Sequence, residues 1–283
     1  MRILGIETRN ETEKGPHRVV VIAGTKATDA LLCAALESAG FQLLIIHYKI
    51  PFGHWTPWVG RRIAERGFTT FVGHLLLAFW LRAERVGERL AGRSLWHVVG
   101  RETPQWRTVR SERRYCFTES SVVAAIKDVD GIILLDAFRF SHRLFRGVSK
   151  PFFQVIWGDV PDYLGDSGGF WAYLHGDPVR VSVVLRDHQF QNMTIVRRVA
   201  VELGRLETLR TIKARQAAAL AKVLPALVRK PPEVGQTTLS RPASCRVFYA
   251  PTLWTYLSAM NRPHRSFPSY AFRTRRCSVN ESI

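Results

Sequence analysis

The residues best able to do chemistry in this chain gather between Gln154 and Asn192. Gln154 to Asp177 reads QVIWGDVPDYLGDSGGFWAYLHGD: strand, turn, glycine-rich loop, helix, turn. Asp159 stands in the turn directly after the strand. A carboxylate there can act as a base, or it can hold its own turn by Asx-type hydrogen bonds. His175 precedes Gly176 at the helix end, where an imidazolium suits the negative end of the helix dipole. Asp187 and His188 are adjacent and can form an acid–base pair or line an exposed loop. Trp157 and Trp171 flank the region and can stack on a flat ligand or pack a core.

Composition bounds what those residues can belong to. The chain has 283 residues, 46% hydrophobic and 23% charged, enough apolar side chain for a real core. Its net charge is +18. Such a field attracts nucleic acid, anionic membranes or acidic small molecules. Cys33, Cys116, Cys245 and Cys277 are scattered, with no CxxC pair and no Cys/His ligand spacing. This argues against structural zinc or a disulfide framework and fits a reducing cytoplasm. The start, MRILGIETRNETEKGPHR, has no long apolar signal-peptide run. The most apolar segment, Phe68–Leu81, contains His74 and is shorter than the ~20 residues of a membrane span.

The elements that must position the candidate residues follow from periodicity. Residues 1–17 read as a polar leader. Arg18–Gly24 and Phe41–Tyr48 are continuous apolar, β-branched runs, the signature of strands buried on both faces. Between them Ala30–Ala39 carries a helical pattern stopped by Gly40. The connecting turn, AGTKATD, is neither GxGxxG nor a P-loop, although a helix N-terminus there can receive an anion. Phe71–Leu90 is an amphipathic helix. Arg82, Arg85, Arg89 and Arg93 share one of its faces, as an anion, membrane-surface or RNA-binding stripe or as a solvated face. Further strands are expected at Tyr115–Thr118, Gly131–Leu135, Phe152–Trp157, Val181–Leu185 and Thr194–Val201. Helices are expected at Glu119–Lys127, Gly168–His175 and Thr208–Val228, the last kinked at Pro225. Asp136–Phe145 reads as a loop entering a short helix, and Arg246–Met260 as a docking segment. The expected fold is α/β: a Rossmann-like, mostly parallel sheet with helices on both faces. It fills residues 18–201, followed by a C-terminal helix and docking segment over 202–262 and a basic tail over 263–283.

Pro161-Asp-Tyr163-Leu-Gly165, then Gly168-Gly169-Phe170-Trp171-Ala172, then His175-Gly176-Asp177-Pro178, resemble in order and spacing the words of the formyltransferase family. That family uses 10-formyltetrahydrofolate and includes methionyl-tRNA, phosphoribosylglycinamide and sugar-amine formyltransferases. Ser120–Phe145 resembles the segment that shapes the folate pocket, which puts Ala137, Phe138, Arg139 and Phe140 at the cofactor. Thr208–Leu227 resembles the helix that closes the domain. Arg246–Leu257 resembles a C-terminal docking segment.

In the family a strand carries Asn-x-His before a Pro-x-Tyr-Arg-Gly turn. Asn and His stabilise the tetrahedral oxyanion formed when an amine attacks the formyl carbon. A downstream Asp orients the His and helps take the proton. The resemblance places Gln154 at the Asn position, Ile156 at the His position, Leu164 at the Arg position and Asn192 at or beside the Asp. No histidine lies between Arg143 and Leu174, and no asparagine between Asn10 and Asn192, so a shift of register does not restore the triad. Formyl transfer is thus expected to be lost or replaced. Three possibilities stay open: an enzyme rebuilt around Asp159, a non-catalytic homologue binding a folate-like or anionic ligand or a protein partner, and nucleic-acid binding through the basic surface.

Overall fold

The computed structural model describes residues 17–48, 63–64, 67–91, 95–98, 100, 104–116, 119–126, 129–135, 150, 152–186, 192–204, 207–230, 238–240, 248 and 250–260. Its strands are β1 Arg18–Ala23, β2 Gln42–Tyr48, β3 Glu112–Cys116, β4 Gly131–Leu134, β5 Phe152–Ile156, β6 Arg180–Arg186, β7 Asn192–Ala200 and β8 Thr238–Ser240. Its helices are α1 Ala27–Ser38, α2 Phe68–Leu90, α3 Leu95–Val98, α4 Glu119–Ala125, α5 Gly168–His175, α6 Leu209–Ala221, α7 Leu224–Arg229 and α8 Leu253–Met260. The strands form one sheet in the order β3-β2-β1-β4-β5-β6-β7-β8. Neighbours from β3 to β5 are parallel, and those from β5 to β8 antiparallel.

The apolar strand runs are continuous because both faces are covered. On one face Val19, Val21, Ile45, Ile133, Phe153 and Val155 pack against Leu32 and Leu36 of α1 and Ala217 and Leu220 of α6. Their sequence neighbours Val20, Ile22, Ile46, Ile132, Leu134 and Phe152 pack on the other face with Val122 of α4 and with Ile126. The two-residue period of a strand divides each run between two cores. The chain winds outward from β1 to β3 and then returns to β4 on the other side of β1. That reversal at the β1/β4 junction puts α1 and α4 on opposite faces.

The α/β architecture is as expected, with departures in single elements. β3 lies three residues earlier than the expected Tyr115–Thr118. The three strands beyond β5 run antiparallel, and β8 has no sequence signal of its own. Thr208–Val228 is two helices rather than one kinked helix. α6 starts with a Thr208/Thr211 capping box, and Pro225 sits in the first turn of α7. Proline in a first turn sacrifices no hydrogen bond, so the chain starts a new helix there instead of bending the old one. Residues 1–16, Asp136–Phe145, Asp187, His188, Arg93 and the 263–283 tail lie outside the described residues.

Candidate functional site

The turn after β5 is shaped by backbones in close contact. Gly158 and Gly168 pack together, so that a Cβ on either would lie 3.0 Å from the other's Cα and deep inside the Tyr163 carbonyl oxygen. Gly165, at φ +133°, lies where only glycine is unstrained, with Phe248 O in the space a Cβ would need. Gly169 N–H donates to Trp157 O at 2.7 Å, which ties the start of α5 to the end of β5. The Val160–Pro161 peptide is cis.

Asp159 is held by cations from the next two strands. Arg180 Nη1 donates to its Oδ2 at 2.5 Å, and Arg198 Nε stands 3.1 Å from Oδ1. Arg198 also donates to Val160 O at 3.1 and 2.8 Å. Ser182 Oγ donates to Gly158 O at 2.8 Å and accepts from Val160 N–H at 3.2 Å. Arg180 and Ser182 alternate along β6, and Arg198 is the cross-strand partner of Ser182, so all three project to the same side. The sequence reading missed these three residues. Their only local signal is polar side chains at alternate positions of otherwise apolar strands.

The structure does not bring Gln154, Asp159 and Asn192 to one point. Gln154 is buried in mid-β5, and its Oε1 accepts from Arg186 Nε at 2.7 Å. Arg186 pairs with Met193, the residue after Asn192, so Gln154 is tied toward the same end of the sheet as the Asn192 backbone. Asp159 lies beyond the opposite end of β5. Its partner Arg198 is six residues past Asn192 in β7, about 20 Å of strand. Ala137, Phe138, Arg139 and Phe140 lie outside the described residues.

Ile156, the residue that the sequence reading sets at the family's histidine position, is packed in the core. Ile156 is 0% and Leu164 3% exposed, and both belong to one apolar cluster with Val160, Val184, Met193 and Ile195. Ile156 and Leu164, which the sequence reading sets at the family's His and Arg positions, thus both lie in an apolar cluster.

Beside that cluster the chain stacks on itself. The ring of Phe248 lies 5.1 Å from Tyr163, 5.9 Å from Trp171 and 6.4 Å from His175, centroid to centroid. Its backbone N–H donates to Leu164 O at 2.6 Å. One of the rings beside Trp171 is therefore that of Phe248, from the segment expected to dock on the body. Trp157 faces the main core, with Lys213 Nζ of α6 5.0 Å from its ring centroid. Lys213 is ion-paired with Asp166. Burial holds its ammonium below the ordinary lysine range, while Asp166 opposes that shift.

The Tyr163 hydroxyl donates to Asp177 Oδ2 and lies 2.9 Å from His175 Nδ1. With its proton given to Asp177, the hydroxyl oxygen accepts from Nδ1–H. Burial first, and the bond to Asp177 second, push the Tyr163 phenol well above the usual tyrosine range. The unfolded chain releases this proton near pH ~10 and the folded chain retains it, so Tyr163 contributes stability below that pH which is lost above it. Tyr163→Phe is expected to flatten the alkaline decline in stability followed by urea unfolding between neutral pH and about pH 11. An unchanged slope would show that the phenol titrates freely.

Among the described residues no group of three or more His, Cys, Asp and Glu side chains could hold a metal ion. A cleft of about 460 Å³ lies at the opposite end of the sheet, lined by Arg18, Gln42, Arg110 and Glu112 among others.

No family model matches this sequence, and no curated protein does. Formyltransferases are among the solved structures to which the chain is similar. A 4-N formyltransferase from Francisella tularensis shares 10% identity over 82% of this chain and 76% of its own, with a TM-score of 0.47. Phosphoribosylglycinamide formyltransferase from Anaplasma phagocytophilum shares 14% over 80% of this chain and 94% of its own, with a TM-score of 0.45. The N-formyltransferase from Helicobacter canadensis, solved with folinic acid and dTDP-3-aminofucose, shares 12% over 81% and 70%, with a TM-score of 0.44. At these identities and TM-scores the likenesses carry no statement about the chemistry of this chain.

Proposed function

We propose that this protein is a formyltransferase-like homologue without formyl transfer by an Asn-His-Asp triad, and that it binds a folate-like or anionic ligand or a protein partner instead. One observation carries the reading: Ile156 and Leu164 are packed into a single apolar cluster at the positions where that chemistry needs polar groups. Loss of one oxyanion donor lowers rates about 10²–10³-fold, and loss of a general acid–base group about 10²–10⁴-fold. The described residues do not fit the formyl-bearing end of 10-formyltetrahydrofolate. Ile156 offers it no donor, and Gln154, whose Oε1 accepts from Arg186, has only its amide N–H2 to donate.

The rival reading, an enzyme rebuilt around Asp159, gains no support from that carboxylate's surroundings. Two guanidinium groups already compensate its charge, and its main-chain oxygen accepts from Tyr163 N–H at 2.6 Å. These are the contacts of a group that holds a turn. The proposal also places the protein in the cytoplasm. Cys33 is a buried free thiol whose pKa burial drives far above the thiol range, as befits a cysteine used for packing.

The test is incubation of the purified chain with 10-formyltetrahydrofolate and a panel of primary amines, with formamide products counted by mass spectrometry. No product above the protein-free control is expected. Repeated turnovers would overturn the reading. Calorimetry with folinic acid checks the ligand half, and absence of heat at millimolar concentration would remove folates as the ligand.

A further inference from the structure

The 23-residue helix α2 has two faces of opposite chemistry. One is docked on the body of the protein. Leu77 is buried, and Gly73 lies so close to Thr252 that a Cβ would meet its side chain at 2.8 Å. His74 Nε2 bonds Ala250 O at 2.9 Å. Glu84 accepts from Trp80 Nε1 at 2.7 Å and from Tyr256 OH at 3.1 Å. Glu88 accepts two bonds from Arg210, at 2.9 and 3.0 Å.

The other face is apolar and open. Phe68 is 65% exposed, Phe79 63%, Val86 53%, Leu75 45% and Leu90 84%. At 3.6 residues per turn these five side chains fall within about 60° of arc, in a stripe about 34 Å long. Arg82 and Arg85 are exposed along one flank of the stripe, and the Arg82 guanidinium lies 6.0 Å from the Phe79 ring centroid. Both glutamates of the helix are turned inward and occupied, so the charges beside the stripe are positive.

We infer that this face of α2 rests on an anionic lipid bilayer. The helix axis lies parallel to the membrane plane, Phe68, Leu75, Phe79, Val86 and Leu90 enter the headgroup–acyl boundary, and Arg82 and Arg85 meet lipid phosphates. An aromatic and aliphatic stripe flanked by arginine matches such an interface in both polarity and charge. The net charge of +18 adds to the attraction. A second copy of the chain fits less well, because it would bring two such positive fields together with the glutamates of both helices already engaged. RNA would leave the five apolar side chains without a partner. No helix among the described residues is long and apolar enough to cross a membrane, so the contact is one of lying on the surface.

The test is sedimentation of the full chain with vesicles of phosphatidylcholine containing one quarter phosphatidylglycerol, against pure phosphatidylcholine. Binding is expected to favour the anionic vesicles and to weaken with added salt. Phe79→Ser is expected to lower binding about tenfold, the order for one aromatic side chain withdrawn from an apolar phase. Arg82→Gln with Arg85→Gln is expected to lower binding to anionic vesicles alone, by about fivefold per arginine. Circular dichroism of these surface variants confirms that they fold. Absence of sedimentation, or sedimentation that Phe79→Ser leaves unchanged, overturns the inference. A dimer detected by light scattering and dissociated by Phe79→Ser overturns it too, by assigning the stripe to contact between copies.

Discussion

An Ile156→His variant is expected to lose about 4 kcal/mol of stability and to gain no formyl transfer. Ile156 is fully buried and pairs with Ser182 across β5 and β6, with Leu164, Val184 and Val160 in the same apolar cluster. Replacing it forfeits about 2 kcal/mol of apolar burial. It also buries an imidazole with no assigned partner, which costs about 1–3 kcal/mol more. The penalty deepens as pH falls below about 6.5, because the unfolded chain then binds a proton that the buried ring does not. Urea unfolding at several pH values, run beside the formyl-transfer assay, measures both effects. A variant within about 1 kcal/mol of the parent would reveal polar space at this position. Formyl transfer by that variant would show that the fold still holds the rest of a working site, and the non-catalytic proposal would fall.

Gly158→Ala is expected to cost about 3 kcal/mol or more, for a different reason. The added Cβ meets backbone rather than a flexible side chain: the Tyr163 carbonyl, and Gly168 Cα at 3.0 Å. Backbone held by the Asp159–Tyr163 turn and by the Gly169–Trp157 hydrogen bond has little room to yield. Gly176 is the control. It has φ +77° but open space around a Cβ, so alanine there costs only the left-handed strain, about 1 kcal/mol. Denaturation midpoints at constant slope measure the difference. Equal losses at the two positions would mean that the turn relaxes. The close approach of Gly158 to Gly168 would then not be what fixes Asp159 and Ile156.

The failed expectations share a cause with the successful ones. Gly168–His175 was legible to the residue because its loop, its apolar positions and its Gly176 stop are neighbours in sequence. Pro225 reads as a kink in the sequence because proline breaks a helix interior. Whether it sits in an interior or in a first turn is settled by how α6 and α7 dock on α1. The sheet is parallel from β3 to β5, as read, and β6, β7 and β8 join it antiparallel, β6 after a connection that carries α5.

The candidate site divides along the same line. By itself the sequence determined that strand β5 carries no histidine or asparagine, that the formyltransferase words surround it, and that buried strands on both sides of a βα unit make an α/β sheet. These are statements about residue identity and near-neighbour periodicity, and no folding is needed to make them. Only the tertiary structure decided that Asp159 is clasped by Arg180 and Arg198, that Ile156 and Leu164 share one apolar cluster, that Phe248 fills the place beside Trp171, and that the glutamates of α2 turn inward and leave its arginines outside. Each of these joins residues far apart in the chain. Such pairings are selected by the order of the strands and the handedness of their crossovers, which local periodicity does not specify.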